Sequence, residues 1–200
     1  MPSISVHLTI AAHMAERLGI KDLPSYFLGN IAPDAVNADG FASAEKRYSA
    51  HIRSKDYAVW KQNIKSYKAE HEAAYEKNAD FFKGFLLHLY TDIAWDEAVQ
   101  PQLFSYLRSQ GFSEDELNER KWDELRGFDA ILSKRDEYVS AIRQLKNASP
   151  LPITTVSSHQ LKKWLDFILS LTYDYPPAKY LSCCHITVSY THLRAHETTL

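Results

Sequence analysis

Apolar residues recur every three or four positions along most of the chain, which is the periodicity of amphipathic α-helices. The first such pattern covers residues 4–18 and is followed by Gly19, a residue suited to ending a helix. Proline, glycine and asparagine interrupt residues 21–40, which predicts a short helix and then a long packed loop. Residues 55–76 predict a surface-facing amphipathic helix, and residues 78–80 provide a cap for the helix that follows.

The segment Phe81–Trp95 is apolar nearly all round, so we predict a helix that runs through the middle of the core. Helical patterns continue over residues 121–145, preceded by a capping box at residues 113–116, and over residues 161–171. The sequence contains no alternation typical of strands and no internal repeat. The predicted fold class is therefore all-α, as a single-domain multi-helix bundle.

The composition is that of an ordered globular protein with nearly balanced charge. The 23 Lys and Arg residues against 25 Asp and Glu residues give a net charge of −2, which does not favour nucleic acid or an anionic membrane as a partner. The first residues lack the pattern of a secretory signal, and no apolar run reaches about 18 residues. We therefore expect a cytoplasmic protein without a transmembrane segment.

Residues 181–200 are predicted to be a disordered or artefactual tail, outside a helical domain of residues 1–180. From about Val188 onward the sequence resembles translated sequencing adapter. His192 and His196, with two adjacent cysteines nearby, would otherwise suggest a zinc-binding tail. We favour the artefactual interpretation and exclude this segment from the functional argument.

His88 and Asp92 are the first candidates for chemistry, because residues four apart on a helix project from the same face. An ionised aspartate among the apolar residues of this segment is costly to bury unless a cation or several hydrogen-bond donors compensate for it. The pair therefore binds a metal ion, or it forms a hydrogen bond that ties helices together. For the pair alone, the hydrogen bond is the favoured interpretation.

Three further residues widen the candidate site to three histidines and two carboxylates from four segments. His7 lies in the first helix, Asp34 follows a proline in a turn, and His51 comes after the next loop. Each residue also has a structural interpretation: His7 as a cap or core histidine, Asp34 as a turn former, and His51 as the start of the following helix. The residues by themselves leave both interpretations open.

Four segments carry a resemblance to a known family. They are, in chain order, Ser5–Ala11, Phe27–Asp34, Ala50–His51 and Gly84–Asp96. Together they resemble the zinc-dependent phospholipase C family, specifically its short bacterial members. The most specific elements are the Gly-x-x-x-His-x-x-x-Asp helix and the Ala-Pro-Asp turn. The resemblance implies a helical fold of the phospholipase C and P1 nuclease type, which holds up to three zinc ions and hydrolyses phosphodiester bonds.

The resemblance also implies a role for each matched residue. His7, His51 and His88 correspond to histidines that bind zinc, and Asp92 to a carboxylate that bridges two metals. Asp34 corresponds to a carboxylate that binds metal or acts as the catalytic base. The chemistry implied is the activation of water by Zn²⁺ for attack on phosphorus.

The chain departs from the family pattern at the third metal. The position of the family's next histidine falls near Ala98, and no later His-x-x-x-Glu pair follows. Asp96 could partly substitute, although an exposed acidic residue at a helix end is the favoured interpretation. We therefore expect one or two zinc ions.

Two functional hypotheses follow. The first is a zinc-dependent phosphoesterase that acts on a small-molecule or lipid phosphoester, with no nucleic-acid surface. Arg47, Arg53 and Lys55 flank His51 and could meet a substrate phosphate, but solvated charges are the favoured interpretation. The second is a non-catalytic helical protein that keeps a structural metal or a buried His/Asp network and acts through partners.

Overall fold

A computed structural model describes residues 2–151 and 155–181 of the chain. Over these residues all regular structure is helical and no strand is present, which confirms the all-α class. The α-helices are α1 (Ile4–Met14), α2 (Leu23–Ile31), α3 (Ala44–Ala50), α4 (Tyr57–Tyr75), α5 (Ala79–Ala94), α6 (Gln100–Ser109), α7 (Leu117–Leu132), α8 (Asp136–Leu145) and α9 (Ser158–Ser170). Short 3-10 turns cover Pro33–Asn37 and Glu76–Asn78, and a π-turn covers Trp95–Val99. The predicted tail lies outside the described residues, except for Leu181.

Helix α5 is the centre of the core, as its apolar sequence predicts. Nearly every residue from Phe81 to Ala94 is buried. It crosses α2 so closely that glycine is required on both helices. A Cβ atom at Gly29 would lie 1.9 Å from the carbonyl oxygen of Phe81, and one at Gly84 would lie 2.0 Å from that of Tyr26. This contact brings the backbone of α2 against the polar face of α5.

Helix α1 is shorter than its sequence pattern predicts. It ends at Met14, and residues 15–19 form a turn in which the Ile20 N–H donates to the Ala15 carbonyl at 3.0 Å. Gly19 adopts a left-handed conformation with φ +61° and ends this turn, whereas the C-cap of the helix itself is Ala15 and not the predicted Gly19. Every residue of α1 from Ser5 to Ala11 is buried on whichever side of the helix it lies, because other helices surround α1.

Three predicted segments differ from the structure in detail. The predicted loop after α2 contains the 3-10 turn Pro33–Asn37 and is followed by helix α3, which the sequence analysis did not predict. The pattern over residues 121–145 is two helices, α7 and α8, with a break between Leu132 and Asp136. The Ser113 N–H does donate to Glu116 at 2.9 Å, but this contact forms a turn and α7 begins only at Leu117.

Candidate metal centre

All five predicted site residues lie together in the structure, although they come from four separate elements. His7 lies on α1, Asp34 in the first 3-10 turn, His51 at the end of α3, and His88 and Asp92 on α5. The three histidines and Asp92 are fully buried, and Asp34 is 8% exposed. We call these five residues the His/Asp cluster.

Local sequence places each side chain. His88 and Asp92 share one face of α5 because they are four residues apart. Pro33 opens the 3-10 turn that carries Asp34, with a backbone angle suited to the first residue of a helical turn. His51 ends α3 and does not begin the following helix, which corrects the structural interpretation given to it. Ile52 then has φ +52°, a costly conformation for a β-branched residue and one that clusters at functional sites.

The nitrogen and oxygen atoms of the cluster are spaced like the ligands of one small ion. The Nε2 atom of His51 lies 3.2 Å from Nε2 of His88 and 3.6 Å from Oδ2 of Asp92, while His88 Nε2 lies 3.8 Å from the same oxygen. Ligands at the bond lengths of tetrahedral zinc are about 3.3 Å apart. The cluster continues at both ends, where His7 Nε2 lies 3.4 Å from Asp92 Oδ1 and His51 Nε2 lies 3.4 Å from Asp34 Oδ1.

Backbone carbonyls fix which nitrogen of two histidines carries the proton. His51 Nδ1 is 2.9 Å from the carbonyl of Arg47, and His88 Nδ1 is 2.7 Å from that of Asn30. A carbonyl only accepts, so Nδ1 of each ring is the donor. In the neutral rings the two Nε2 lone pairs therefore face each other, an arrangement that needs a cation or a proton between them. Donation from Nδ1 to a carbonyl is also the usual support of a metal-binding histidine.

Several polar atoms of the cluster are buried and have no hydrogen-bond partner among the described residues. They are both carboxylate oxygens of Asp92 and both ring nitrogens of His7. Buried polar atoms are nearly always paired, so this concentration marks a place that could hold a metal ion. The two sets of ligand atoms that could hold an ion are His7, His88 and Asp92, and Asp34, His51 and His88.

The electrostatics of the cluster favour ionised aspartates. Burial opposes ionisation of Asp92, but the neighbouring imidazoles, His7 first, outweigh it and hold the pKa of Asp92 below its usual range. Burial likewise opposes ionisation of Asp34, and the hydrogen bond with His51 keeps the pKa of Asp34 low. Two carboxylates are therefore held as anions in a buried place, which favours a compensating cation.

The histidines differ from one another. Burial, with the nearby imidazole of His7, lowers the pKa of His88 to about 3, so His88 is neutral and able to act as a ligand. Burial also disfavours the cationic form of His51, but Asp34 and Asp92 outweigh it and raise the pKa of His51 above its ordinary value. A proton on Nε2 of His51 therefore competes with a metal ion for this nitrogen.

The cluster reaches the surface at Asp34, which lines a cleft of about 550 Å³. Four cationic side chains line the same cleft: Arg47, Arg53, Lys121 and Arg126. Exposed aromatic side chains gather at it as well: Phe41, Trp122, Phe167 and Tyr175. We call this space the aromatic cleft. Arg47 and Arg53 therefore face a cavity beside the cluster, and only Lys55 of the three basic residues is an exposed surface charge.

Asp96 corrects one sequence-based expectation. It was expected to be an exposed acidic residue at a helix end, but it is buried within the π-turn and forms an ion pair of 2.6 Å with Arg53. The π-turn inserts an extra residue after α5 and turns Asp96 toward Arg53, and the periodicity of the sequence carries no signal of it. Asp96 is also absent from the sets of possible ligand atoms among the described residues, so the expectation that it could partly substitute as a metal ligand gains no support.

Sequence reasoning missed two residues that support this region. Asn30 orients His88 through a backbone carbonyl, which no side-chain motif indicates. Asp129 of α7 accepts hydrogen bonds from Ser3 and Ser5 at the beginning of α1, and it lines the aromatic cleft. The separation of more than a hundred residues between these partners hides the contact from any local pattern.

Comparison of the chain with family models, with curated proteins and with solved structures finds no match. The phospholipase C resemblance therefore rests on the motifs alone. Among the described residues, no helix combines the length and the apolar character that a membrane crossing requires.

Proposed function

We propose that this protein is a zinc-dependent phosphoesterase of the phospholipase C and P1 nuclease type. The observation that carries the proposal is the pair of Nε2 atoms of His51 and His88, which lie 3.2 Å apart while each Nδ1 is engaged by a carbonyl. Bound Zn²⁺ would supply Lewis acidity and a water of lowered pKa. Imidazole and carboxylate donors are a set that zinc accepts, and the unpaired atoms of Asp92 and His7 fit an added cation.

The roles within the cluster follow from the atoms that remain free. His88 has only Nε2 left as a ligand and would therefore hold a single ion. Asp92 has both oxygens available and lies between His7 on one side and His51 on the other, so it is suited to bridge two ions. Asp34 touches both the cluster and the cleft, which suits it to bind an ion or to accept the proton of an attacking water.

The aromatic cleft supports a phosphoester as the substrate. Cationic side chains attract an anion, and the guanidinium group of an arginine matches the planar geometry of phosphate oxygens. The exposed aromatic side chains beside them would cover an apolar group attached to the phosphate. These features are those of a site for a small-molecule or lipid phosphoester.

The test is the metal content of the purified protein, measured by mass spectrometry for the wild type and for His88→Ala and Asp92→Ala. The matched control is His13→Ala, because His13 is a partly exposed histidine outside the cluster. We expect near-stoichiometric zinc in the wild type and the control, and loss of zinc in both cluster variants. Hydrolysis of bis(p-nitrophenyl) phosphate should be abolished by a chelator and restored by zinc. A folded wild type that takes up no metal would contradict the proposal.

The second candidate is a non-catalytic protein in which the cluster is a buried network. The raised pKa of His51 favours it, because an imidazolium between Asp34 and Asp92 supplies the positive charge that the carboxylates need. This candidate predicts a wild type that stays folded without metal and hydrolyses no phosphoester. The metal measurement above separates the two.

A further inference from the structure

A second carboxylic acid lies in the aromatic cleft and takes no part in the His/Asp cluster. Asp129 of α7 is partly buried, and its Oδ1 atom accepts hydrogen bonds from the hydroxyl groups of both Ser3 and Ser5. Among the described residues no hydrogen bond reaches its Oδ2 atom. One oxygen is therefore anchored, while the other is available to carry a proton.

Helix α1 places this carboxyl close to the candidate metal centre. The His7 N–H donates to the Ser3 carbonyl at 3.1 Å, so Ser3 and His7 lie on the same face one helical turn apart. Asp129 contacts Ser3 at one end of this turn, and His7 at the other end belongs to the His/Asp cluster. Asp129 and Asp34 also line the same cleft of about 550 Å³. Both carboxyl groups therefore face the same space.

The surroundings of Asp129 raise the pKa of its carboxyl group toward neutrality. Burial raises the pKa of Asp129 to about 6, although the two serine hydroxyls act in the opposite direction. The titratable groups that face it from α8 and from the C-terminal segment are Tyr138 and Tyr173. Burial raises the pKa of both phenols, so they stay neutral and bring no charge close to Asp129. On its own helix, Lys121 and Arg126 line the same cleft.

We propose that Asp129 is the proton donor to the leaving group when a phosphoester is cleaved in the aromatic cleft. This inference rests on the proposed function. The oxygen of the attacking water forms a bond to phosphorus, and the bond from phosphorus to the ester oxygen breaks with its electron pair on that oxygen. The Asp129 carboxyl proton passes to this oxygen, which leaves as an alcohol. The proton that the attacking water releases restores Asp129.

The test compares substrates whose leaving groups need a proton to different degrees. We would measure kcat/KM of zinc-loaded wild type and Asp129→Asn for phosphodiesters with a p-nitrophenyl, a phenyl and an alkyl leaving group. The amide still accepts from Ser3 and Ser5, so the fold should be kept. The matched control is Asp115→Asn, an exposed aspartate just before α7.

We expect Asp129→Asn to change the rate with the p-nitrophenyl ester by less than about threefold and to lower the rate with the alkyl ester by about a hundredfold. The control should match the wild type on every ester. An equal loss on all esters, or no loss on any, would overturn the role of Asp129 while leaving the phosphoesterase standing. A wild type inactive on every ester would instead overturn the proposed function and this role together.

A second measurement reports on the proton directly and needs no turnover. Infrared spectra of the metal-free protein should contain a carboxyl C=O stretching band that disappears as the pH is raised through about 6. The band should be missing in Asp129→Asn and kept in Asp115→Asn. A wild type without such a band would show that Asp129 holds no proton to donate, and it would overturn the proposal.

Discussion

At the scale of single residues, the chemistry of the cluster depends on which atoms the backbone has already engaged. The carbonyls of Asn30 and Arg47 take up Nδ1 of His88 and His51, and this directs both Nε2 atoms to one point. A histidine oriented in this way needs no rearrangement to bind an ion, so the ordering cost is met during folding. Oδ2 of Asp92 lies near the same point and Oδ1 lies near His7, and neither oxygen has a hydrogen-bond partner among the described residues.

The raised pKa of His51 predicts that zinc binding releases a proton. Asp34 and Asp92 raise the pKa of His51 above about 6.5, so the metal-free protein holds this proton at pH 6 and loses it as the pH rises through the raised value. Zinc requires the deprotonated ring, so zinc affinity should increase with pH over the same interval. Calorimetry in buffers of different ionisation enthalpy measures the released proton.

The variant that tests this assignment is Asp34→Asn, which removes the principal hydrogen bond that raises the pKa of His51. In this variant the pKa of His51 should be lower. Proton release on zinc binding should therefore begin to decline at a lower pH than in the wild type. Asp39→Asn serves as the control, because Asp39 is an exposed aspartate that pairs with Lys163 outside the cluster. Proton release that is the same at every pH in both variants would show that another group supplies the proton.

At the scale of elements, the crossing of α2 and α5 sets the position of the cluster. The chain between Gly29 and Ile31 presents its backbone to α5, where Asn30 also donates from Nδ2 to the Gly84 carbonyl at 3.3 Å. The two helices can approach this closely only because Gly29 lies against the backbone of α5 and Gly84 lies against the backbone of α2. The same approach brings the Asn30 carbonyl to His88.

Replacing Gly84 by alanine should therefore affect both stability and metal binding. The added Cβ would lie 2.0 Å from the Tyr26 carbonyl and 2.9 Å from the Asn30 nitrogen, so the helices must separate. We expect a loss of about 1–3 kcal/mol in the free energy of unfolding, as for other overpacked cores. Zinc affinity should fall as well, because the Asn30 carbonyl moves away from His88.

Chemical denaturation and zinc titration measure the two effects, and Ser66→Ala on the exposed face of α4 provides a helical control. An unchanged zinc affinity in a destabilised Gly84→Ala protein would show that the α2–α5 distance does not control the ligand geometry.

The elements also explain how much the sequence could predict. The apolar run of α5 specifies a buried helix with His88 and Asp92 on one face, and the motifs of the family resemblance add His7, Asp34 and His51. Helix α3 has only seven residues, too few for a clear periodicity. The burial of Asp96 depends on a π-turn and on Arg53, and the contact of Asp129 with Ser3 depends on the packing of distant helices. Neither leaves a local signal.

At the scale of the whole molecule, the described residues after α9 form one wall of the aromatic cleft. Leu171, Thr172, Tyr173 and Tyr175 line the cleft, and the chain then runs along α7. There the buried carboxylate of Glu124 accepts from three successive backbone N–H groups, those of Lys179, Tyr180 and Leu181, at 2.8–3.1 Å. Glu124 thus ties residues 179–181 to α7 and links the far side of this helix to the shape of the cleft.

Replacing Glu124 by glutamine should release this wall. The amide keeps one accepting oxygen, but its NH₂ group meets N–H donors and cannot replace the second oxygen, which accepts from Tyr180 and Leu181. Hydrogen bonds to a charged acceptor contribute about 1.5–3 kcal/mol each, so local opening should become markedly easier. Hydrogen exchange of residues 173–181 should speed up, while zinc content stays at the wild-type level because the cluster lies on other elements.

Glu119→Gln, at an exposed position of α7, is the control. Unchanged exchange in Glu124→Gln would mean that the packing of the segment on Gly127 holds the wall without the carboxylate.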